Sequence, residues 1–443
     1  MRDIAVTLLV FGSLPFILMR PWIGIMMWSW LSYMNPHRLT WSFAYDMPFA
    51  AMVAATTLVG LVFAKDRDSI PWNRVTIVWF AWVIWMNITT VFAIDLEISG
   101  KEWDRTMKMQ LMAFVALMLV RTQQQINIFI WVIAMSIGFF GFKGGLFAFR
   151  EGAGTGIRGP AESFIEDNNA LGLALVMILP LLWYLQMIQT RKIIRFGLLG
   201  GLVLCAMAVF ATHSRGAFLA VVCMAGVLVL STRGRMYAII AVIVLAPVMW
   251  TLMPEHYHER IASIRDYKND TSALGRINAW WFAWNLAVDR PITGGGFDTF
   301  TPPLFHKYAP DPLDLHDSHS IYFEVLAEHG FVGLALFLAL GIFTLLECGR
   351  MIRRVRELRP QHGTKFDWAE DLARMLRVCL VGYATGGAFL GLAYYDLFYS
   401  LISLIVLARR AVEDQLKAAT APIAVQRGFD VRAPQGAVGR PGG

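Results

Sequence analysis

Residues 170–216 read ALGLALVMILPLLWYLQMIQTRKIIRFGLLGGLVLCAMAVFATHSRG. Two long apolar blocks flank the basic break Thr190-Arg191-Lys192, and a second polar break, His213-Ser214-Arg215, closes the stretch. Coiled as a helix, an apolar block of about 20 residues matches a hydrocarbon core of about 30 Å. The stretch therefore reads as two membrane spans joined by a basic turn, with the next turn on the opposite side of the bilayer.

The same reading extends outward in both directions. Apolar blocks fall at roughly 4–19, 22–34, 47–64, 75–94, 107–120, 126–149, 170–189, 193–212, 216–231, 236–253, 321–347, 378–393 and 395–408. The first two are short and interrupted by Pro15 and Pro21. They count as one bent unit or as two, which gives about 12–13 transmembrane helices once each block is taken as a span of ordinary length. Composition agrees. Of the 443 residues, 57% are hydrophobic and 16% charged, where a soluble domain carries about 25% charged residues. Mean hydropathy is +0.52. Alternating segments of about 10 residues, the mark of a membrane β-barrel, are missing. The expected fold class is an all-α polytopic membrane protein.

Charge placement sets the sidedness. The net charge of +7 does not indicate nucleic acid, because the basic residues fall in short loops between apolar blocks. Alternate loops hold Lys65/Arg67/Arg74, Arg121, Arg191/Lys192/Arg195, Arg233/Arg235 and the run from Arg350 to Arg377, with Arg20 and the C-terminal tail on the same side. The positive-inside rule makes that side cytoplasmic. Loops 35–46, 95–106, 150–169, 213–215 and 254–320 are then expected on the periplasmic side of a bacterial inner membrane. The chain divides into N-terminal spans (1–149), a core with its long loop (150–348), a basic loop (349–377), C-terminal spans (378–416) and a tail (417–443) whose Ala, Pro, Gly and Arg content reads as disordered. Of the four cysteines, Cys205, Cys223 and Cys379 lie in apolar blocks and Cys348 beside the basic run. They suggest neither disulfides nor a metal spacing. The N-terminal apolar stretch ends in Arg20-Pro21 without a small-residue cleavage site, so it reads as retained.

Three features with chemical potential fall on the expected periplasmic side. Arg215 sits in a turn so short that it lies at the membrane boundary. There it either snorkels to headgroups or faces an anionic partner within the bundle. Arg276 falls near the start of an expected helix that Thr271 or Ser272 can cap and that carries Trp280, Trp281 and Trp284 before Pro291 ends it. Backbone N–H groups at such a helix start also favour anions. Gly294-Gly295-Gly296 follows, either as a plain turn or as a place where backbone approaches a ligand. Last comes His316-Asp317-Ser318-His319-Ser320-Ile321-Tyr322, leading into the next span. His319 there is either a satisfied interfacial histidine or an acid–base group. His316, His319, Asp311, Asp314 and Asp317 are dense enough to raise the question of a divalent metal, although their spacing matches no specific motif.

In order, Ser214-Arg215-Gly216, Arg276 with Trp280, Pro291 with Gly294-Gly-Gly-Phe297, and His319-x-x-Tyr322 through Glu328-x-Gly330-x-x-Gly333 resemble the O-antigen ligase/polymerase superfamily. Asp167-Asn168-Asn169 is similar to that family's Asp-Pro-Asn element, with Asn168 where proline is common. The N-terminal region, including Met34-Asn35-Pro36-His37-Arg38-Leu39, resembles the O-glycosylation ligases of exosortase A-associated systems. The resemblance implies a GT-C-like glycosyltransferase working on the periplasmic face. Its donor would be an undecaprenyl-pyrophosphate-linked glycan, and its acceptor a protein, lipid or polysaccharide hydroxyl. Catalysis would rest on His319, Arg276 and Arg215. Substrate binding would involve Arg215, Arg276, Asn169, Gly295 and Tyr322. No metal or other cofactor is implied. A polymerase of lipid-linked repeat units shares these motifs. A transporter or flippase is the rival of another class, but its usual signs are repeated halves and charges at mid-membrane, whereas these residues gather at one side.

Overall fold

A computed structural model describes residues 1–65, 67–151, 156–231 and 271–420. The expected span at 236–253, the basic pair Arg233/Arg235, the first part of the 254–320 loop and the tail beyond 420 lie outside the described residues, as do the capping side chains of Thr271 and Ser272. All regular structure among the described residues is helical, with no strand. The helices are α1 (Arg2–Met19), α2 (Trp22–Met34), α3 (Phe49–Phe63), α4 (Arg74–Val91), α5 (Leu96–Leu119), α6 (Gln123–Glu151), α7 (Asn168–Ile188), α8 (Lys192–Ala211), α9 (Arg215–Ser231), α10 (Thr271–Asp289), α11 (Pro302–Tyr308), α12 (Ile321–His362), α13 (Asp367–Gly386) and α14 (Asp396–Thr420). Among them α1, α4, α6, α7, α8 and α12 are long and apolar enough to cross a membrane, and α3 and α9 are shorter apolar helices. The chain is an all-α, multi-pass membrane protein.

Helices α1–α9 and α12–α14 run between two faces. On one face the loops expected to lie together do so. Arg38 pairs with Glu162 at 2.7 Å, the Arg105 guanidinium stacks on Phe164 at 3.4 Å, Asn168 donates to the Thr212 carbonyl at 2.7 Å, and Ile94 N–H donates to the Gly295 carbonyl at 2.8 Å. The chain's first residues join the same face, where Asp3 accepts from the Ser42 amide at 3.1 Å. The opposite face is bound by arginine–carboxylate pairs. Arg121 meets Asp68 at 2.5 Å, and Glu347 holds Arg350 and Arg409 at 2.9 and 2.8 Å.

Two expected loops are instead helical extensions. The stretch 95–106 forms the first turns of α5, because Asp95 caps its N-terminus and Glu97–Lys101 and Asp104–Lys108 pair one turn apart, which supports a helix in water. The basic stretch 349–377 is mostly the end of α12 and the start of α13, reversing at Gly363, whose φ of 59° suits glycine. The clamp on that reversal is Glu370, 2% exposed, which receives Arg356 at 2.9 Å, Arg359 at 2.8 Å and also Arg374.

Candidate active site

Helix α10 carries the loop that presents His319. Asn278 grips the loop three times: its amide donates to the Asp311 and Asp314 carbonyls at 2.8 and 3.0 Å, and its oxygen accepts from the Asp311 N–H at 2.9 Å. One turn earlier, Gly275 leaves room for the His316 ring, whose nearest atoms would stand 2.7 Å from a Cβ there. Trp280 donates its indole N–H to the Ser318 carbonyl at 2.8 Å and stacks on Phe323 at 5.0 Å with planes 9° apart. The loop is thus stitched to α10 at three points, the last of them Trp280, one turn along from Arg276. His319 follows with φ of +42°, a conformation that costs a non-glycine residue free energy and is held only by its surroundings. Ser320 N-caps α12 by position.

This placement brings His319 and Arg276 together. Burial pushes the His319 pKa below the ordinary histidine value and the Arg276 charge pushes it further, while Asp317 and Asp167 oppose the shift. The imidazole is therefore neutral at pH 7 and free to accept a proton. Asp167 belongs to a different segment. It is the N-cap of α7, accepting from the Asn169 N–H at 2.8 Å. Its neighbour Asn168, through the bond to Thr212, ties α7 to the turn that starts α9 with Arg215. Gly172 lets that turn approach, since a Cβ there would meet Thr212 and Ser214. Three elements distant in sequence therefore converge at the loop face: the α7 start, the α9 start and the α10/α12 loop.

Asn168 occupies the first helical position of α7. Proline is well accommodated there, since that N–H has no intrahelical partner, so the asparagine at this place leaves the Asp cap in position.

The remaining residues expected at the site have other partners. Tyr322 donates its hydroxyl to the Ala384 carbonyl at 2.8 Å. Gly295 donates its N–H to Ala327 O at 2.8 Å and accepts from Ile94 through its own carbonyl, while Gly296 N–H donates to Glu328 O at 2.9 Å. These bonds capture carbonyls released where α12 breaks at Gly330, with φ of 68°. A Cβ at Gly294 would lie 2.6 Å from the Ala327 oxygen. The glycine run is a docking seam for α12. Asn169 lies half-buried beside Asn168, its amide 3.4 Å from the Asn168 oxygen.

Sequence reading missed the acidic side of this region. Asp298, at φ of 54°, has its carboxyl pKa raised by burial and then by Asp317, and its N–H donates to Glu328 at 2.7 Å. Glu328 also accepts from Tyr394. The Asp directly after Gly294-Gly-Gly-Phe297 was the available signal. The suspected metal ligands do not converge: His316 pairs with Asp314 at 2.9 Å, and among the described residues no group of three or more His, Cys, Asp or Glu side chains is placed to hold a metal ion.

A many-spanning helical bundle with Arg276 and His319 close together at one face is a membrane protein rather than a soluble one. Residues 200–338 match the O-antigen ligase family model, which covers Arg215, Arg276 and His319, and residues 1–190 match a family of unknown function. This core is thus an O-antigen ligase domain, and the protein is an O-antigen ligase-like membrane enzyme. No curated protein matches it.

Proposed function

We propose that this protein transfers a glycan from an undecaprenyl-pyrophosphate-linked donor to a hydroxyl of a protein, lipid or polysaccharide acceptor, at the periplasmic face of a bacterial inner membrane. The supporting observation is the pairing of a neutral His319 with Arg276 beside the α7 cap, within the O-antigen ligase match. Orientation follows the basic loops: the face crowded with Arg350–Arg377 lies in the cytoplasm, which turns the His319 face outward.

In the reaction, the acceptor oxygen attacks the anomeric carbon and its proton passes to the His319 imidazole. The bond from that carbon to the pyrophosphate oxygen breaks, and its electron pair stays on the departing pyrophosphate. Arg276 and Arg215 stabilise the growing negative charge, since guanidinium groups stay charged and match phosphate oxygens bidentately. Displacement in one step inverts the anomeric centre. The N-terminal resemblance supports an O-glycosylation ligase of the exosortase A-associated kind. A polymerase differs only in taking a second lipid-linked glycan as acceptor.

Cells lacking the gene, complemented with wild type or His319→Ala at equal membrane levels, test this reading. The expected result is loss of acceptor glycosylation and accumulation of lipid-linked glycan with the variant. Undiminished glycosylation with His319→Ala would remove His319 from the chemistry, and unchanged glycosylation in the deletion strain would point to transport or scaffolding.

A further inference from the structure

Helix α10 has two rows engaged with the chain and a third that is largely exposed among the described residues. Arg276 and Trp280 form the row beneath the His319 loop, and Phe282 and Leu286 are buried against Phe305. Centred about 120° round the helix from Arg276, at ~100° per residue, Leu274, Ile277, Trp281, Trp284 and Val288 recur at spacings of three and four. All are exposed, Trp281 by 53% and Val288 by 58%. An unbroken apolar stripe of this kind is abnormal in water.

The stripe continues into a lipid-facing surface. Trp284 packs edge-on against Phe331 at 5.7 Å. Phe331 begins the exposed apolar side of α12, which runs on through Leu338 and Ile342 of a membrane-crossing helix. Beyond the stripe the helix turns polar: Asn285 donates to the Tyr308 carbonyl at 2.9 Å, and Asp289 binds Tyr308 and Lys307 at 2.5 and 3.3 Å. An apolar stripe rich in tryptophan with a polar flank is the pattern of a helix lying in the bilayer interface.

We propose that α10 is an in-plane membrane helix whose Leu274–Val288 stripe is immersed in the acyl chains of the leaflet on the His319 side. One consequence, which rests on the transferase reading, is that α10 sets Arg276 at headgroup depth, level with a lipid-linked pyrophosphate. Lipid is the partner of the stripe, not a second protein.

The test uses the full chain in nanodiscs, with Cys223, the one cysteine among the four that is not fully buried, changed to serine. Nitroxide labels are placed singly at Trp281→Cys, Val288→Cys and Asn285→Cys. Immersion predicts more collisions with oxygen than with a water-soluble nickel chelate at 281 and 288, and the reverse at 285. Nickel-dominated collisions at 281 and 288 would put the stripe in water, and protection from both reagents would put protein over it; either overturns the proposal. Should the cysteine variants fold poorly, diazirine-bearing phospholipids label the unmodified chain. Acyl-chain adducts on residues 274–288 support immersion, and adducts confined to the spans contradict it. Neither readout needs transfer activity, so failure here leaves the transferase reading standing.

Discussion

The two faces of the bundle handle charge differently. On the basic face, opposite charges meet: Glu370 gathers Arg356, Arg359 and Arg374, Glu347 gathers Arg350 and Arg409, and Asp68 gathers Arg121 and Arg410. The His319 face has ion pairs too, Arg38 with Glu162 among them, but around His319 like groups press on one another. Arg276 disfavours a charged His319, and Asp317 disfavours a charged Asp298. The first arrangement fixes helix ends, and the second holds groups in poised protonation states. Perturbation by burial together with a neighbour of like charge is commoner at functional sites than elsewhere.

The largest break in this contrast is expected from the site arginines. Arg276→Ala and Arg215→Ala should each lower kcat/KM for glycan transfer by about 10²–10³, the scale of losing a preorganised donor to a developing oxyanion, with little change in melting temperature. Lysine at either position should restore part of the rate. Glu370→Ala should do the opposite. Removing a buried acid from three arginines, two of which keep access to water, costs about 1–3 kcal/mol, so thermal unfolding in detergent should fall by a few degrees while KM of the surviving enzyme holds.

A pH profile sharpens the same comparison. With its pKa held below the usual histidine value by burial and by Arg276, His319 stays a competent base as pH drops through 6.5. Transfer should therefore decline only at lower pH. The lowered value also means that the unfolded chain binds this proton more readily. The His319 contribution to stability is thus present above the ordinary histidine value and is lost as pH falls. Arg276→Ala, assayed at high enzyme concentration, should move the acid limb of the profile upward, a shift that a purely structural arginine would not produce. The smallest effect belongs to Asn168→Pro. The first helical position accepts proline and the change loses the bond to Thr212 O, so a stability loss of about 1 kcal/mol with near-normal transfer is expected.

Much of this was legible in the chain because membranes write long, one-dimensional signals. Apolar blocks located most of the described helices, and the order Arg215, Arg276, His319 pointed to the loop face where Arg276 and His319 lie close. What the chain does not display is a bonding partner far away in sequence. Gly294-Gly295-Gly296 looked open to a ligand, but the carbonyls that bind it come from residues 327 and 328 and are released only by the break at Gly330. Tyr322 was expected to touch substrate, and nothing local announces that its hydroxyl reaches Ala384. The helical extension of α5 was hidden for another reason. Its first turns are polar, so hydropathy ends where pairing between Glu97 and Lys101 and between Asp104 and Lys108 begins.

The central claim is that His319, kept neutral beside Arg276, takes the acceptor proton as the glycan leaves undecaprenyl pyrophosphate. A single-turnover assay tests it directly. Purified protein in nanodiscs is mixed with lipid-linked donor and acceptor, and released undecaprenyl pyrophosphate is counted against glycosylated acceptor. Wild type should release one pyrophosphate lipid per glycan transferred, and His319→Ala should bind donor normally while turning over about 10²–10⁴ times more slowly, the span typical of a lost general base. Transfer by His319→Ala at the wild-type rate, or glycan transfer without stoichiometric release of undecaprenyl pyrophosphate, would contradict the account.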